Sequence, residues 1–184
     1  MEAIDYFKII HKYIDPSSRT YALYLPHVAL VTVRALKVAR RLGLPPERLR
    51  FIEEAAMLHD IGIVAVRDDD LACTGNLPYI CHISEGRRIL EAESLPRHAL
   101  VAERHIGVGL SRTQIIEQGL PLPARDMLPE TLEEKIISWA DLFSSKHPSR
   151  LWAERTVADV EASLARRGDG DLQVFRAWQD SFGG

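Results

Sequence analysis

The stretch Ala55-Ala56-Met57-Leu58-His59-Asp60-Ile61-Gly62 carries an apolar run directly into an adjacent histidine and aspartate. Its apolar residues predict the end of a helix that packs into a core. A carboxylate buried beside such a run is costly unless a cation or a metal ion pairs with it. The stretch therefore predicts a helix end that presents an imidazole and a carboxylate for chemistry.

The composition is that of a soluble globular domain. The chain has 184 residues, of which 46% are hydrophobic and 27% charged, and its net charge is −3. Neither nucleic acid nor a membrane surface is favoured as a partner by such a charge. No stretch approaches the roughly 18 uninterrupted apolar residues of a membrane span, and no signal peptide is recognisable. We therefore expect a cytoplasmic protein without membrane segments.

Two cysteines, Cys73 and Cys81, are too few for a disulfide framework, and their spacing matches no zinc motif. We expect both to be free thiols.

Helical spacing of apolar residues, punctuated by glycine and proline, recurs along most of the chain. We predict that Pro26 interrupts a helical turn at 21–25, that no strand is present, and that the fold is all-α. The predicted helices span residues 2–14, 27–42, 46–58, 82–93, 96–105, 111–118, 131–143, 151–167 and 172–182.

Two further features concern the segments between helices. Charged and helix-breaking residues at 63–80 predict a loop, which follows the His-Asp pair and so should border its site. Thr131 and Glu134 have the spacing of a capping box, in which each side chain accepts a hydrogen bond from the other's backbone.

Six residues are candidate metal ligands. Histidine nitrogen and carboxylate oxygen together suit borderline divalent metals. Adjacent side chains on a helix diverge by about 100°, so His59 and Asp60 need ligands from other elements to share an ion. A carboxylate between two ions can bridge them, and Asp60 is the natural bridge. The candidates are His27, His59, Asp60, His82, His105 and Asp141.

The simpler alternative is that a histidine on a helix is packed or solvated. We interpret His11, His98 and His147 in that way, and His27 or His105 taken alone could also be structural. Asp141 is harder to dismiss because its neighbours at 137–143 are mostly core-forming, which makes an unpaired carboxylate there costly.

The order of these residues resembles the HD superfamily of metal-dependent phosphohydrolases, specifically its single-domain His-Asp-Ile-Gly branch. The resemblance covers about residues 24–146. Its motifs are Pro26-His27-Val28, Leu58-His59-Asp60-Ile61-Gly62, His82-Ile83-Ser84-Glu85-Gly86 with Ile89-Leu90, Glu103-Arg104-His105, and Trp139-Ala140-Asp141.

The resemblance implies a compact all-α bundle of the HD-domain type, forming one domain over 1–184 with its core at about 24–146. Helices at 2–14 and 151–182 would flank that core. His27, His59, Asp60 and Asp141 would form a four-ligand site, and His82 and His105 would hold a second ion that Asp60 bridges. The implied cofactors are two divalent ions from among Fe, Mn, Mg, Zn, Co and Ni.

The implied reaction is attack of hydroxide on the phosphorus of a nucleotide or a similar small phosphate. Members of this branch usually have lysine after the glycine, whereas this chain has Ile63. A catalytic cation that contacts the phosphate must then come from elsewhere, and Arg34, Arg104 and Lys146 are the candidates. Basic residues on helices are, however, usually just solvated.

Two other functions remain open in the sequence: a di-iron oxygenase of the same superfamily and a non-catalytic nucleotide-binding regulatory module. No Gly-Tyr-Pro signature follows His105, which argues against cyclic di-GMP as the substrate. Apolar positions on the C-terminal helices could pack internally or against a second copy, so a homodimer is also open.

Overall fold

A computed structural model describes residues 3–183. Its architecture is an all-α bundle, as predicted. The predicted first helix includes Glu2, and the predicted domain includes Met1 and Gly184; these three residues lie outside the described range. The helices are α1 (Tyr6–Tyr13), α2 (Arg19–Arg41), α3 (Pro46–Leu58), α4 (His82–Ala92), α5 (Pro96–Arg104), α6 (Arg112–Glu117), α7 (Leu132–Asp141), α8 (Val157–Ala165) and α9 (Asp169–Phe182).

Helix α2 continues through Pro26, so the predicted interruption there is wrong. Proline removes one backbone hydrogen bond of the helix. Packing on both sides of it offsets that loss: Tyr24 and Val28 are fully buried, and the Tyr24 hydroxyl donates to the Met57 carbonyl at 2.8 Å. Tertiary contacts therefore keep helical a segment that local sequence rules would break.

Within the described residues, α2 is also the one helix long and apolar enough to cross a membrane by length and composition alone. However, 56% of its apolar window is buried inside the fold. In this structure α2 is a core helix, and His27 lies in its middle.

The predicted loop at 63–80 contains some regular structure. Short 3-10 turns occupy Ile61–Ala65 and Tyr79–Cys81, and the strands β1 (Arg67–Asp68) and β2 (Cys73–Thr74) form a small antiparallel hairpin. The expectation of no strand is thus wrong for these four residues. Leu71 and Cys73 are buried and fasten the hairpin to the core, and both cysteines are free as predicted.

The C-terminal helices begin at different residues from those predicted. Helix α8 starts at Val157 instead of 151, because Thr156 and Asp159 form a capping box. Residues 144–156 form a loop with one 3-10 turn at Pro148–Arg150, and we call this segment the 144–156 loop. Its base is closed by a hydrogen bond from the Arg155 amide to the Phe143 carbonyl at 3.0 Å. Helix α9 begins at Asp169, three residues before the predicted start at 172.

The box predicted at the start of α7 is only half formed. The Thr131 hydroxyl accepts from the Glu134 amide at 3.2 Å, but the Glu134 carboxylate accepts instead from the Glu130 amide at 2.8 Å.

Two hydrophobic cores flank the middle of the bundle. One joins the second half of α2 to α3, α7, α8 and α9, and the other joins α1, the first half of α2, the end of α3, α4 and α5. His27 lies on α2 directly before Val28, which belongs to the second of these cores. Asp141 directly follows Ala140, which belongs to the first. The candidate ligands thus lie where the two cores meet.

Candidate metal centre

Five helices bring the six predicted ligands to one place. His27 lies in α2, His59 and Asp60 directly follow α3, His82 begins α4, His105 directly follows α5 and Asp141 ends α7. The four histidines and Asp60 are each at most 1% exposed, and the Asp141 side chain is 16% exposed. We call these six residues the His/Asp cluster.

Asp60 lies at the centre of the cluster. Its Oδ2 is 3.1 Å from His27 Nε2 and 3.5 Å from His59 Nε2. Its Oδ1 is 3.5 Å from His82 Nε2 and 3.4 Å from His105 Nε2. Each oxygen of one carboxylate therefore faces a different pair of imidazoles, which is the arrangement that a bridging ligand requires.

Asp141 faces the same two imidazoles as Asp60 Oδ2 does. Its Oδ1 is 3.1 Å from His27 Nε2 and 3.6 Å from His59 Nε2. His59 lies between the two halves of the cluster, because its ligand nitrogen is also within 4.8 Å of a His105 nitrogen. We place it with His27, since it lies 3.5 Å from Asp60 Oδ2, the oxygen that also faces His27.

Backbone carbonyls fix the orientation of three of the rings. In each case Nδ1 contacts the carbonyl oxygen three residues earlier: His59 to Ala56 at 2.7 Å, His82 to Tyr79 at 2.6 Å and His105 to Ala102 at 2.9 Å. A carbonyl can only accept, so Nδ1 carries the proton and the Nε2 lone pair is free to bind a metal ion.

The cluster fits a metal by its unsatisfied atoms and its spacing. His27 Nδ1 and Nε2, His59 Nε2 and Asp60 Oδ1 are buried without a hydrogen-bond partner within the described residues. Such orphan groups cost free energy unless another ligand satisfies them. Ligand atoms that share an ion at about 2.1 Å lie roughly 3 to 3.6 Å apart, and the Nε2–Oδ distances above fall in that range.

Electrostatics favour the metal-binding protonation states of His82, His105 and Asp60. Burial lowers the pKa of His82 to about 3 and also lowers the pKa of His105, so both imidazoles are neutral at pH 7. Burial would raise the pKa of Asp60, but Lys146 and His59 outweigh it and hold that pKa well below its usual value. His82 and His105 therefore offer neutral nitrogens beside an ionised carboxylate. His59 differs: burial would lower its pKa, but Asp60 and Asp141 outweigh burial and raise that pKa, so a metal ion at His59 competes with a proton.

Lys146, one of the three predicted cations, lies against the cluster. Its Nζ donates to Asp60 Oδ2, and its side chain is 11% exposed. Burial would lower the pKa of Lys146, but Asp60 and other nearby anionic groups raise it well above the usual value. A permanent positive charge is thus held beside the bridging carboxylate.

The other two predicted cations make their contacts elsewhere, which corrects the prediction. Arg34 packs on the ring of Phe143 at 4.2 Å and pairs with Glu154, while Arg104 pairs with Glu134 at 3.0 Å. Neither makes a polar contact with the His/Asp cluster in the part of the chain that the structure describes. Both guanidinium groups pair with carboxylates on neighbouring elements. Sequence spacing does not reveal such pairs.

Close packing explains the glycine and the isoleucine that follow the His-Asp pair. A Cβ on Gly62 would lie 2.0 Å from the His82 carbonyl oxygen, so only glycine lets this turn approach the start of α4. Ile63 is 2% exposed and belongs to the core around α1 and α4. A side chain at 63 therefore points into hydrocarbon, and the cation that contacts Asp60 is Lys146.

A small cavity of about 210 Å³ lies next to Lys146, lined also by the hairpin loop, Tyr79 and residues 145–147. The loop predicted to border the site contributes Asp68, Asp70 and Leu71 to this cavity. Tyr79 was missed by sequence reasoning, although its position three residues before His82 places its carbonyl on that ring. Lys146 Nζ lies 5.7 Å from the centre of the Tyr79 ring.

The three histidines interpreted as structural lie outside the cluster. His11 contacts the Tyr21 hydroxyl at 3.0 Å, His98 lies 3.4 Å from a Glu54 carboxylate oxygen, and His147 lies 3.4 Å from one of Asp70.

The sequence is similar to a known protein family and to several known proteins. A family model described as HD domain matches residues 24–146. A tRNA (cytidine(56)-2'-O)-methyltransferase of Picrophilus torridus is 34% identical over 122 residues, which are 65% of this chain but 30% of that protein. An uncharacterized protein of Methanocaldococcus jannaschii is 54% identical over 50 residues, 26% of this chain and 28% of that one. The match thus covers less than a third of the length of each of these curated relatives.

Among solved structures, the HD domain of the L. monocytogenes phosphodiesterase PgpH, in complex with cyclic-di-AMP, superposes with a TM-score of 0.56. The two are 18% identical, and the match covers 97% of this chain and 94% of that one. At this identity the likeness concerns the fold.

Proposed function

The chain belongs to the HD-domain family of metal-dependent phosphohydrolases, and from this we propose that it hydrolyses a phosphate ester or anhydride of a nucleotide with two divalent ions. The observation that carries the proposal is the central position of Asp60. One oxygen faces His27 and His59, and the other faces His82 and His105. A single-ion enzyme would not need imidazoles on both sides of one carboxylate.

We assign His27, His59, Asp141 and Asp60 Oδ2 to one ion, and His82, His105 and Asp60 Oδ1 to the other. Mixed nitrogen and oxygen ligands favour Mn, Fe, Co, Ni or Zn over Mg, which prefers oxygen. Two bound ions would supply a hydroxide at neutral pH by lowering the pKa of water, and would offset charge on the phosphoryl oxygens.

Residues of the chain itself would position the substrate. Lys146 keeps a positive charge next to Asp60, where it can contact a phosphoryl oxygen. The adjoining cavity of about 210 Å³ is smaller than pockets that enclose a whole small ligand, about 300–1,000 Å³. Lys146 lines this cavity but none of the six cluster residues does, so we infer that the phosphoryl group binds at the ions beside Lys146 while an adjoining part of the substrate occupies the cavity.

A nucleotide is the favoured substrate class because the PgpH HD domain, which shares this fold, is in complex with cyclic-di-AMP. The methyltransferase name of the curated relatives does not transfer to this chain, since the match covers 30% of that protein.

The proposal is tested with metal-stripped, full-length protein reconstituted with Mn or with Fe. Phosphate release is measured on nucleoside monophosphates, cyclic dinucleotides, dinucleoside polyphosphates and sugar phosphates. We expect turnover of at least one nucleotide, and Asp60→Ala should reduce it to below about one hundredth because the bridge is lost. His11→Ala, remote from the cluster, should keep full activity.

Two outcomes would contradict the proposal. Iron-dependent oxygen uptake without phosphate release would identify a di-iron oxygenase with the same ligands. Tight nucleotide binding without turnover under any of the metals would identify a binding module.

A further inference from the structure

A second and larger cavity lies between α2 and the 144–156 loop. It has a volume of about 520 Å³, within the usual range for small-molecule sites of about 300–1,000 Å³. None of the six residues of the His/Asp cluster lines it. We call this cavity the α2 cleft.

The α2 cleft is lined by positive charge. Arg34, Lys37 and Arg41 lie three and four residues apart on α2, and so share one face of the helix. Glu154 is the one acidic residue among the described residues that line the cleft. An anionic ligand therefore matches the charge of this cavity better than a neutral or cationic one.

Arg34 is held in a fixed orientation inside the cleft. Its guanidinium lies over the rings of Phe143, at 4.2 Å, and Trp139, at 5.5 Å, and its side chain is 25% exposed. Its partner Glu154 has a side chain that is 64% exposed. An exposed ion pair contributes little free energy, so a phosphate can take the place of that carboxylate at low cost.

Large apolar side chains are exposed at the same place. Trp152 is 75% exposed and Val33 is 68% exposed, and both line the cleft together with the exposed Leu30 and Val157. Exposed apolar groups gathered beside polar ones are a mark of a binding site. A flat indole surface also offers a stacking platform for a planar ring.

We propose that the α2 cleft is a second binding site, separate from the His/Asp cluster, for a nucleoside 5'-phosphate. The phosphate lies on Arg34 and Lys37, and the base stacks on Trp152. The size of the cleft, its charge and its aromatic wall each point to this ligand class.

The 144–156 loop connects this site to the metal centre. Ser144 and residues 151–154 line the α2 cleft, whereas Ser145, Lys146 and His147 line the small cavity beside the cluster. A ligand that displaces Glu154 from Arg34 therefore acts on the same loop that positions Lys146. Ligand binding in the α2 cleft does not require hydrolysis at the His/Asp cluster, so this proposal and the proposed function can fail independently.

The test measures AMP binding to the full-length protein by equilibrium dialysis and by tryptophan fluorescence, with and without a metal chelator. We expect a saturable component of binding that persists in the chelator. Lys37→Glu should weaken it by about tenfold, because it replaces attraction by repulsion at the phosphate. Trp152→Ala should weaken it by about tenfold through loss of stacking. Lys8→Glu, an equal charge reversal on the exposed face of α1, should leave it unchanged.

Three results would overturn the proposal: loss of AMP binding in chelator, equal weakening by Lys37→Glu and Lys8→Glu, or binding of adenosine as tight as that of AMP. Sedimentation provides a further test, since a dimer that Val33→Glu dissociates would show that a second copy covers the cleft. Lys37 and Trp152 are exposed, so neither substitution should unfold the protein, and circular dichroism checks this.

Discussion

Replacing Gly62 by alanine tests how the chain holds α4 against the His/Asp cluster. The added Cβ would lie 2.0 Å from the His82 carbonyl oxygen and 2.4 Å from the Gly86 amide nitrogen. Both are backbone atoms that cannot rotate away. Real Cβ contacts essentially never fall below 3.0 Å, so the Cβ and the His82 carbonyl oxygen would have to separate by a further 1.0 Å. The start of α4, and His82 with it, would have to move away from Asp60.

We expect this substitution to cost about 3 kcal/mol of unfolding free energy, the upper end of the usual range for overpacking. The reduced entropy of the unfolded chain would return about 0.5 kcal/mol. His82 Nε2 is 3.5 Å from Asp60 Oδ1. A movement of 1 Å exceeds the roughly 0.2 Å tolerance of ligand distances at a metal site, so the second ion should be lost as well.

Urea unfolding and elemental analysis of the metal-loaded protein measure the two effects. Gly86→Ala is a graded comparison, because its Cβ would lie 3.2 Å from the Ala102 side chain and no closer than 3.5 Å to the Gly62 backbone. Gly170→Ala is the control, since nothing lies within 4 Å of its Cβ. If Gly62→Ala matched Gly170→Ala in stability and in metal content, the packing argument would be refuted.

Three other substitutions probe the cluster and the scaffold. His82→Ala should lower the metal content from about two ions per chain to about one, and retention of both ions in elemental analysis would contradict the division of ligands. Lys146→Met should raise KM or lower kcat for the phosphate substrate by about tenfold or more; unchanged kinetics would exclude a role in phosphate binding. Burial raises the pKa of Glu133, but the hydrogen bond from Arg48 at 2.6 Å outweighs it, and the net pKa is lowered. The stability from this pair is therefore present at neutral pH and is lost as the pH falls through the folded-state pKa. Arg48→Met should cost about 1 kcal/mol at pH 7 and less in acid, and a pH-independent cost in urea unfolding would refute the linkage.

The fold was largely predictable because helical periodicity is a local signal. Helix α3 begins and ends at the predicted residues, since Pro46 fixes its first turn and the His-Asp pair ends its apolar stripe. Pro26 misled the prediction because the contacts that keep α2 helical there come from Met57, far along the chain. The hairpin was missed because each of its strands has only two residues.

The grouping of the six candidate ligands was predictable from residue types and order, whereas the positions of the candidate cations were not. Any lysine or arginine near a ligand in sequence is a candidate, but only the folded chain shows which one approaches Asp60. Lys146 does so because the 144–156 loop folds back over the cluster, and Arg34 does not because Phe143 and Glu154 hold it in the α2 cleft. The grouping of Trp152 with the basic face of α2 likewise depends on the path of that loop.

Crystals of the protein grown with Mn²⁺ and measured for anomalous scattering would locate bound ions directly. We expect two peaks, about 3.5–4 Å apart, one beside His27, His59 and Asp141 and the other beside His82 and His105, with Asp60 between them. A single peak on one side of Asp60 would contradict the two-ion assignment, and the absence of any peak among these six side chains would contradict the metal centre itself.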